Sequence, residues 1–470
     1  MLRRILSIFG YLLVALAIVG FTVGLVAYGN DYTYDFKTHR IIQKGHVIID
    51  SLPGGIVVTA DGRVLGKRTP YQAAYSIGDH IFRLEKDGFW PWEKKLMVTA
   101  GRVALADYVI MVPKKPVVTE LDAKTQITAQ TISKDHRHLA YVVGGTDAAV
   151  YTLDLGNKKL VKLYSAKPAV AASEGVAPVG AEVLHDVAWS DDASHLLIVS
   201  EVGGVLTHRL AAAGGGEPVN LTQTYGFNFN GLHFSGSNWR QMYWVSPDGL
   251  RRLDMDAAAV SGVLADKVSQ FWVQPDRVLY VQQTDLGRSL WSLDSRGKRQ
   301  QVISALVESD SYSVALSRYN NEDELAVVPA KTGVATLYSG IFSDTPVAKV
   351  VAQGIVSVSF SPKNGRFLAL NSAAGSSVYD LERSTLEHSF VLYPAPAARG
   401  TLSAVTWFDD EHLLSNRDGE LYWSDFDGTN QVDLGRGYGV LPAYGDADTR
   451  GVIVFRPTDT GVRVLQLQIR

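Results

Sequence analysis

The 470-residue chain contains no cysteine. That absence excludes disulfides, thiolate nucleophiles, Cys-ligated zinc or iron–sulfur centres and acylation on cysteine, and it leaves the redox compartment open. An excess of one charge is also lacking: 45 Lys and Arg stand against 48 Asp and Glu, a net charge of −3, with no long basic run. Nucleic acid is thereby excluded as the main partner, since such proteins carry a basic footprint. Catalytic signatures are missing as well. No Gly-Lys-Ser/Thr follows the glycines of Ala213–Gly216, which read as a loop and not a phosphate cradle. There is no GxSxG elbow, no HExxH pair and no acidic run with EF-hand spacing. No catalytic, cofactor-binding or metal-ligating residue is nominated, no cofactor is implied, and the ligand-binding residues stay unassigned.

Long apolar runs are absent after residue 30, but one precedes it. Ile5–Tyr28 holds 24 residues without a charge. As a helix it would be about 36 Å long at 1.5 Å per residue, and a bilayer core takes about 20 apolar residues. A cleavable signal has an apolar region of only about 7–15 residues. Arg3 and Arg4 favour a cytoplasmic start, with Lys37, Arg40 and Lys44 opposing in part. The reading is a stub and single-pass membrane anchor over 1–30, a linker over 31–45, and everything beyond outside the cytoplasm.

Residues 46–112 read as a small β domain. Two Asp-Gly pairs, Asp61–Gly62 and Asp87–Gly88, separate apolar runs, and Asp-Gly suits the type I′ hairpin turn. IFRLEKDGFWPWEKKLMV reads as a hairpin with alternating faces. The order Ser51-Leu-Pro53-Gly-Gly55, Asp61-Gly62, Thr69-Pro70, Gly78-Asp79-His80, Asp87-Gly88-Phe89 and Trp92 resembles a PEGA domain, departing at the name-giving turn, which is Pro53-Gly54-Gly55-Ile56 here. The resemblance implies a β-sandwich of extracytoplasmic bacterial and archaeal surface proteins, acting as an interaction or spacer module.

After Pro113-Lys-Lys-Pro116 the chain becomes repetitive. ISKDHRHLAYV at 132, WSDDASHLLIV at 189, WVQPDRVLYV at 272, SRYNNEDELAVV at 317, FSPKNGRFLAL at 360 and WFDDEHLLS at 407 each place a polar turn before an alternating apolar strand. Eight units start near 125, 187, 232, 268, 311, 355, 402 and 440, a pitch near the roughly 40–45 residues of a propeller blade. The short third and fourth units leave seven as the alternative count. Arg299–Ile303 and Gln431–Leu434 read as fourth strands. GVIVFRPTDTGVRVLQLQI is one strand short, and Val117–Leu121 is the segment expected to complete its sheet and seal the ring. The repeats resemble a TolB-type, WD40-like propeller over most of 125–470. The fold class is therefore all-β: a transmembrane helix, a PEGA-like sandwich, and a β-propeller over 113–470.

The triplet Asp135, His136 and His138 raises a metal site as one reading. Its place in the repeat makes it a turn between a unit's first and second strands, where Asp and Asn bond their own backbone. The same holds for Asp191–Asp192 and Asp409–Asp410, and Glu322-Asp323-Glu324 reads as a solvated loop. Trp189, Trp239, Trp244, Trp272, Trp291, Trp407 and Trp423 are expected to pack between units, with a channel mouth as the alternative. Two segments are candidate binding loops: the insert Ala166–Ala181 and Tyr225-Gly-Phe-Asn-Phe-Asn230. Asn220-Leu-Thr222 is a glycosylation sequon. The expected function is a membrane-anchored binding or scaffolding protein, not an enzyme, whose propeller face engages an envelope protein or cell-wall material. The alternative is a hydrolase or lyase with its site in the central channel.

Overall fold

The second strand of every repeat is apolar on both faces, and the reason is its position between two neighbours. In a computed structural model, the described residues are 2–29, 32–35, 39–169, 180–236, 238–343, 345–373, 375–383, 385–387, 405–417, 420–438, 442–448 and 450–469. Among them, Val117–Gln468 forms one compact unit of eight four-stranded antiparallel sheets. Numbered along the chain, sheets 1 to 8 begin at Ile127, Val183, His233, Val268, Tyr312, Ile355, Thr406 and Tyr444, close to the eight unit starts read from the sequence. Alternate residues of the second strands serve alternate neighbours. In sheet 1, Ala140 and Val142 pack on Leu196 and Ile198 of sheet 2, while Leu139 and Tyr141 pack on Ile453 and Phe455 of sheet 8. In sheet 5, Leu325 and Val327 pack on sheet 4, and Ala326 and Val328 on sheet 6. A strand buried on both faces reads as a continuous apolar run, so the alternation expected for these strands is replaced by runs such as Leu139–Val143. Sheet 8 comes close to sheet 7 at Gly445, where a Cβ would meet Phe408 at 2.8 Å.

Sheet 8 is completed by a segment from far upstream. Strand Val117–Lys124 pairs antiparallel with Gly461–Gln468, with a bulge between Glu120 and Asp122. This is the closing strand expected at Val117–Leu121. Fourth strands form at Arg299–Leu306 and Val432–Arg436, as expected. Residues 170–179 of the insert Ala166–Ala181, and the starts near 402 and 440, lie outside the described residues.

The other compact unit contains the N-terminal part of the chain. Helix α1 (Leu2–Gly29) holds an apolar span, Phe9–Gly29, of mean hydropathy 2.4. Strands β1 (Tyr32–Asp35) and β2 (Arg40–Gln43) pair as a hairpin inside the segment read as a linker. Seven strands follow: β3 (Gly45–Leu52), β4 (Val57–Ala60), β5 (Arg63–Arg68), β6 (Tyr71–Tyr75), β7 (Gly78–Leu84), β8 (Trp92–Val98) and β9 (Val103–Ile110). They form two sheets, ordered β6-β3-β9 and β5-β4-β7-β8, over a shared core that includes Val47, Ile49, Phe82, Leu84, Trp92 and Met111. Asp61 and Gly62 both have positive φ in the two-residue β4–β5 turn, as a type I′ turn requires. The second Asp-Gly pair differs. It lies in the longer β7–β8 connection, and only Gly88 has positive φ. Ser51 and Thr69, both in the quoted pattern, are buried and share a 2.7 Å hydrogen bond, while the Thr69 hydroxyl accepts from Ile56 N–H at 3.1 Å.

Candidate functional site

The turns between first and second strands of sheets 1, 2 and 6 are built alike, and Asp135, His136 and His138 lie in the first of them. Ser133 Oγ donates to Asp135 at 2.5 Å and accepts from His138 N–H at 2.9 Å, while Asp135 accepts from Arg137 N–H at 3.1 Å. Sheet 2 repeats this with Ser190, Asp192 and the His195 and Ser194 N–H groups. Sheet 6 repeats it with Ser361 and Asn364. Burial pushes the Asp135 and Asp192 carboxyls up, but the hydroxyl and N–H donors hold both below the ordinary value. Among the described residues, no group of three or more His, Asp and Glu is arranged to hold a metal.

These turns surround a recess. First strands pack on one another between sheets 1 and 2, while the first strand of sheet 4 packs on the second strand of sheet 3, and a cavity of about 400 Å³ opens at the strand ends of sheets 1 to 4. Trp189, Phe234 and Pro275 supply apolar walls, and Thr131, Lys134 and Asp191 polar ones. Lys134 Nζ lies 2.5 Å from Asp191 Oδ2, so the two charges meet across neighbouring turns. Gly236 belongs to the same lining. A Cβ there would meet the Gln274 carbonyl oxygen at 2.5 Å, so the loop of sheet 3 lies directly on that of sheet 4.

Histidines collect near the first strands of sheets 2 and 3. His208 is buried, and burial with the nearby His233 pushes it down to about 4. His233 is exposed, yet partial desolvation by its surroundings lowers it too, against the opposing pull of Asp186. His185 Nε2 lies 3.1 Å from Glu201. A buried network closes the base of the 166–181 insert. Glu182 accepts from Ser200 Oγ and Tyr164 OH, both at 2.6 Å, from Lys167 N–H at 3.0 Å, and from Arg209.

Six of the seven tryptophans pack between sheets, as expected, while Trp423 packs on Phe408 and His412 of its own sheet. Trp189, Trp239, Trp272, Trp291 and Trp407 join the clusters between sheets, and Trp244 and Trp423 are fully buried. Only Trp189 also lines the recess. In Tyr225–Asn230, Phe229 is buried against Trp244 and His208, so this candidate loop spends its main aromatic on the core. Asn220 of the sequon caps a short helix, Leu221–Tyr225, accepting from Gln223 N–H. Glu322-Asp323-Glu324 is not a solvated loop. It begins the strand Glu322–Pro329, with Glu324 buried and bonded to Ser339 at 2.7 Å.

Residues 44–112 match the PEGA domain model. No characterised protein matches the chain by sequence. Among solved structures, Sqt1 of Saccharomyces cerevisiae is similar at 12% identity, covering 77% of this chain and 100% of that one, with a TM-score of 0.49. The Dos1 propeller is similar at 10% identity, over 76% and 95% of the two chains, with a TM-score of 0.47. An oligogalacturonate lyase in complex with manganese is similar at 10% identity, over 76% and 93%, with a TM-score of 0.42.

Proposed function

We propose that this chain is a membrane-anchored, extracytoplasmic binding or scaffolding protein, held by residues 5–28, whose propeller engages an envelope protein or cell-wall material. The observation that carries the reading is the recess between the turns of sheets 1 to 4. It combines Trp189, Phe234 and Pro275 with a neutralised Lys134–Asp191 pair, the mixture of aromatic anchor and polar rim that protein interfaces use. The apolar α1 and the PEGA match over 44–112 support the anchor and the compartment. The test is in situ crosslinking in membranes and capture of the full chain, beside Pro275→Arg, which puts a long charged side chain at the recess. One envelope protein recovered at stoichiometric yield with wild type, and lost with Pro275→Arg, supports the reading. Equal recovery with both would move the docking face elsewhere, and no recovery of protein or wall material would sink the scaffold idea.

A second reading, a hydrolase or lyase acting in the channel, is favoured by one observation. His233 lies on a first strand near Asp186 with its side chain open to solvent, and partial desolvation by the surrounding protein weakens its hold on a proton, which suits a general base. Turnover of a screened substrate that vanishes in His233→Ala would establish it.

A further inference from the structure

Helix α1 ends at Gly29 and β1 begins at Tyr32. An extended chain covers at most about 3.3–3.6 Å per residue, so Tyr32 lies within about 11 Å of the helix end. The polar layer on each side of a bilayer is itself about 5–8 Å deep. The β1–β2 hairpin therefore starts within or just above that layer. Its register pairs Tyr32 with Gln43 and Tyr34 with Ile41, and directly opposed residues project from the same face. Tyr32, Tyr34 and Ile41 thus share one face, and they are 43%, 46% and 71% exposed. Thr33 and Ile42, on the other face, are half-buried. Tyr28, at the helix end, is 81% exposed. Exposed Arg40 closes the hairpin and Lys44 follows it. Tyrosine has an apolar body and a polar tip, which places it at membrane interfaces, and a cation beside it meets lipid phosphates.

We infer that the β1–β2 hairpin is an interfacial element lying in the headgroup layer of the bilayer that α1 crosses, with Tyr32, Tyr34 and Ile41 immersed and Arg40 at the phosphates. The inference rests on the membrane-anchor reading of α1. The lack of cysteine makes its test clean, because a single introduced thiol labels one position. Tyr34→Cys and Ile41→Cys carry a bimane fluorophore, with Val64→Cys, 71% exposed on the β domain, as reference. The full chain is reconstituted in phosphatidylcholine–phosphatidylglycerol vesicles with and without brominated acyl chains. Interfacial apolar groups sit about 5–10 Å into the headgroup–acyl boundary, within reach of the bromines. The expected result is loss of emission at positions 34 and 41, and none at 64. Alkaline carbonate extraction of the same vesicles reports on the anchor. A chain retained in the pellet with all three labels bright overturns the hairpin inference and leaves the anchor standing. A chain released by carbonate overturns both.

Discussion

His136 donates from Nδ1 to the carbonyl oxygen of Gly445, 309 residues further along the chain, at 2.8 Å. The backbone repeats the link, with Ala447 N–H donating to the His136 carbonyl at 3.0 Å. The turn of sheet 1 is thereby tied to sheet 8. His136 also holds φ at 56°, in the left-handed region. Both substitutions at this position remove one hydrogen bond, worth about 1 kcal/mol net. His136→Gly keeps a backbone at ease with positive φ, whereas His136→Ala does not. Urea midpoints are therefore expected in the order wild type, His136→Gly, His136→Ala, from highest to lowest. The reverse order of the two variants would show that the turn is not held in this conformation.

The second seal lies at the closing strand. Asp122, at the bulge, accepts from Tyr141 OH in sheet 1 and lies 2.9 Å from Lys124 Nζ. Lys124 also sits over the Tyr151 ring, 4.4 Å from its centroid. Burial and the Asp122 carboxylate together push the Tyr141 hydroxyl up, so it stays a donor at any ordinary pH. Tyr141→Phe keeps the ring and removes a hydrogen bond to a charged acceptor, a loss of about 1.5–3 kcal/mol. The expected sign of this loss is earlier protease cleavage in 113–124 under native conditions, read by mass spectrometry. Unchanged cleavage would mean that main-chain pairing to Gly461–Gln468 suffices to hold the strand.

Glu182 and Arg209 form an ion pair with side chains only 1% and 7% exposed. Removing one charge strands the other, which costs about 3–5 kcal/mol, whereas replacing both with apolar groups is often neutral. Glu182→Gln is expected to unfold well before a Glu182→Leu, Arg209→Met double variant. The acid limb carries a further signature. Burial raises the Glu182 carboxyl, but Ser200, Tyr164, the Lys167 N–H and Arg209 bring it below its ordinary value. A depressed carboxyl contributes stability above its unfolded value and loses it as pH falls through the folded one. The wild-type urea midpoint should therefore fall below about pH 4.5 more steeply than that of the double variant.

The repeat was legible because the units end their first strands in polar turns rich in Asp and Asn, in sheets 1, 2 and 6 closed by the same local Ser-to-Asp or Ser-to-Asn bond. The closing strand was legible as a leftover with no partner of its own. A second periodic signal went unread. Asp154, Asp254, Asp294 and Asp380 end third strands, opposite the first residues of second strands, His138, Gln241, Arg277 and Phe367. Each accepts from the N–H two residues on, at 2.9–3.1 Å, and so starts the next turn. Glu322–Glu324 misled for a related reason. Three acids in a row resemble solvent-facing chain, yet pairing with Tyr319–Ser317 makes them a strand and buries the third. The recess had no local signature at all. Trp189 and Pro275 are 86 positions apart with Phe234 between them, and only the packing of successive sheets brings the three together.

In the β domain, His80 and Asp61 couple a turn to pH. His80 Nδ1 lies 2.7 Å from Asp61 Oδ2, and Nε2 lies 2.9 Å from the Ser76 carbonyl oxygen. Both partners are acceptors, so the arrangement suits an imidazolium with two donors. Burial pulls the histidine down, but Asp61 and the Ser76 carbonyl outweigh it, and the folded value is raised. Asp61 is lowered in turn, chiefly by the bond to His80. A raised histidine contributes its stability below about pH 6.5, its unfolded value, and loses it as pH climbs through the folded value. Hydrogen exchange at Ile81, whose N–H donates to Asp61 at 2.9 Å, is the local reporter. Once corrected for intrinsic base catalysis, its protection should decline as pH rises from 6 to 8, roughly the range over which histidine titrates. In His80→Gln the decline should disappear, since glutamine carries no titrating proton. A decline that persists in His80→Gln would assign the pH dependence to another group.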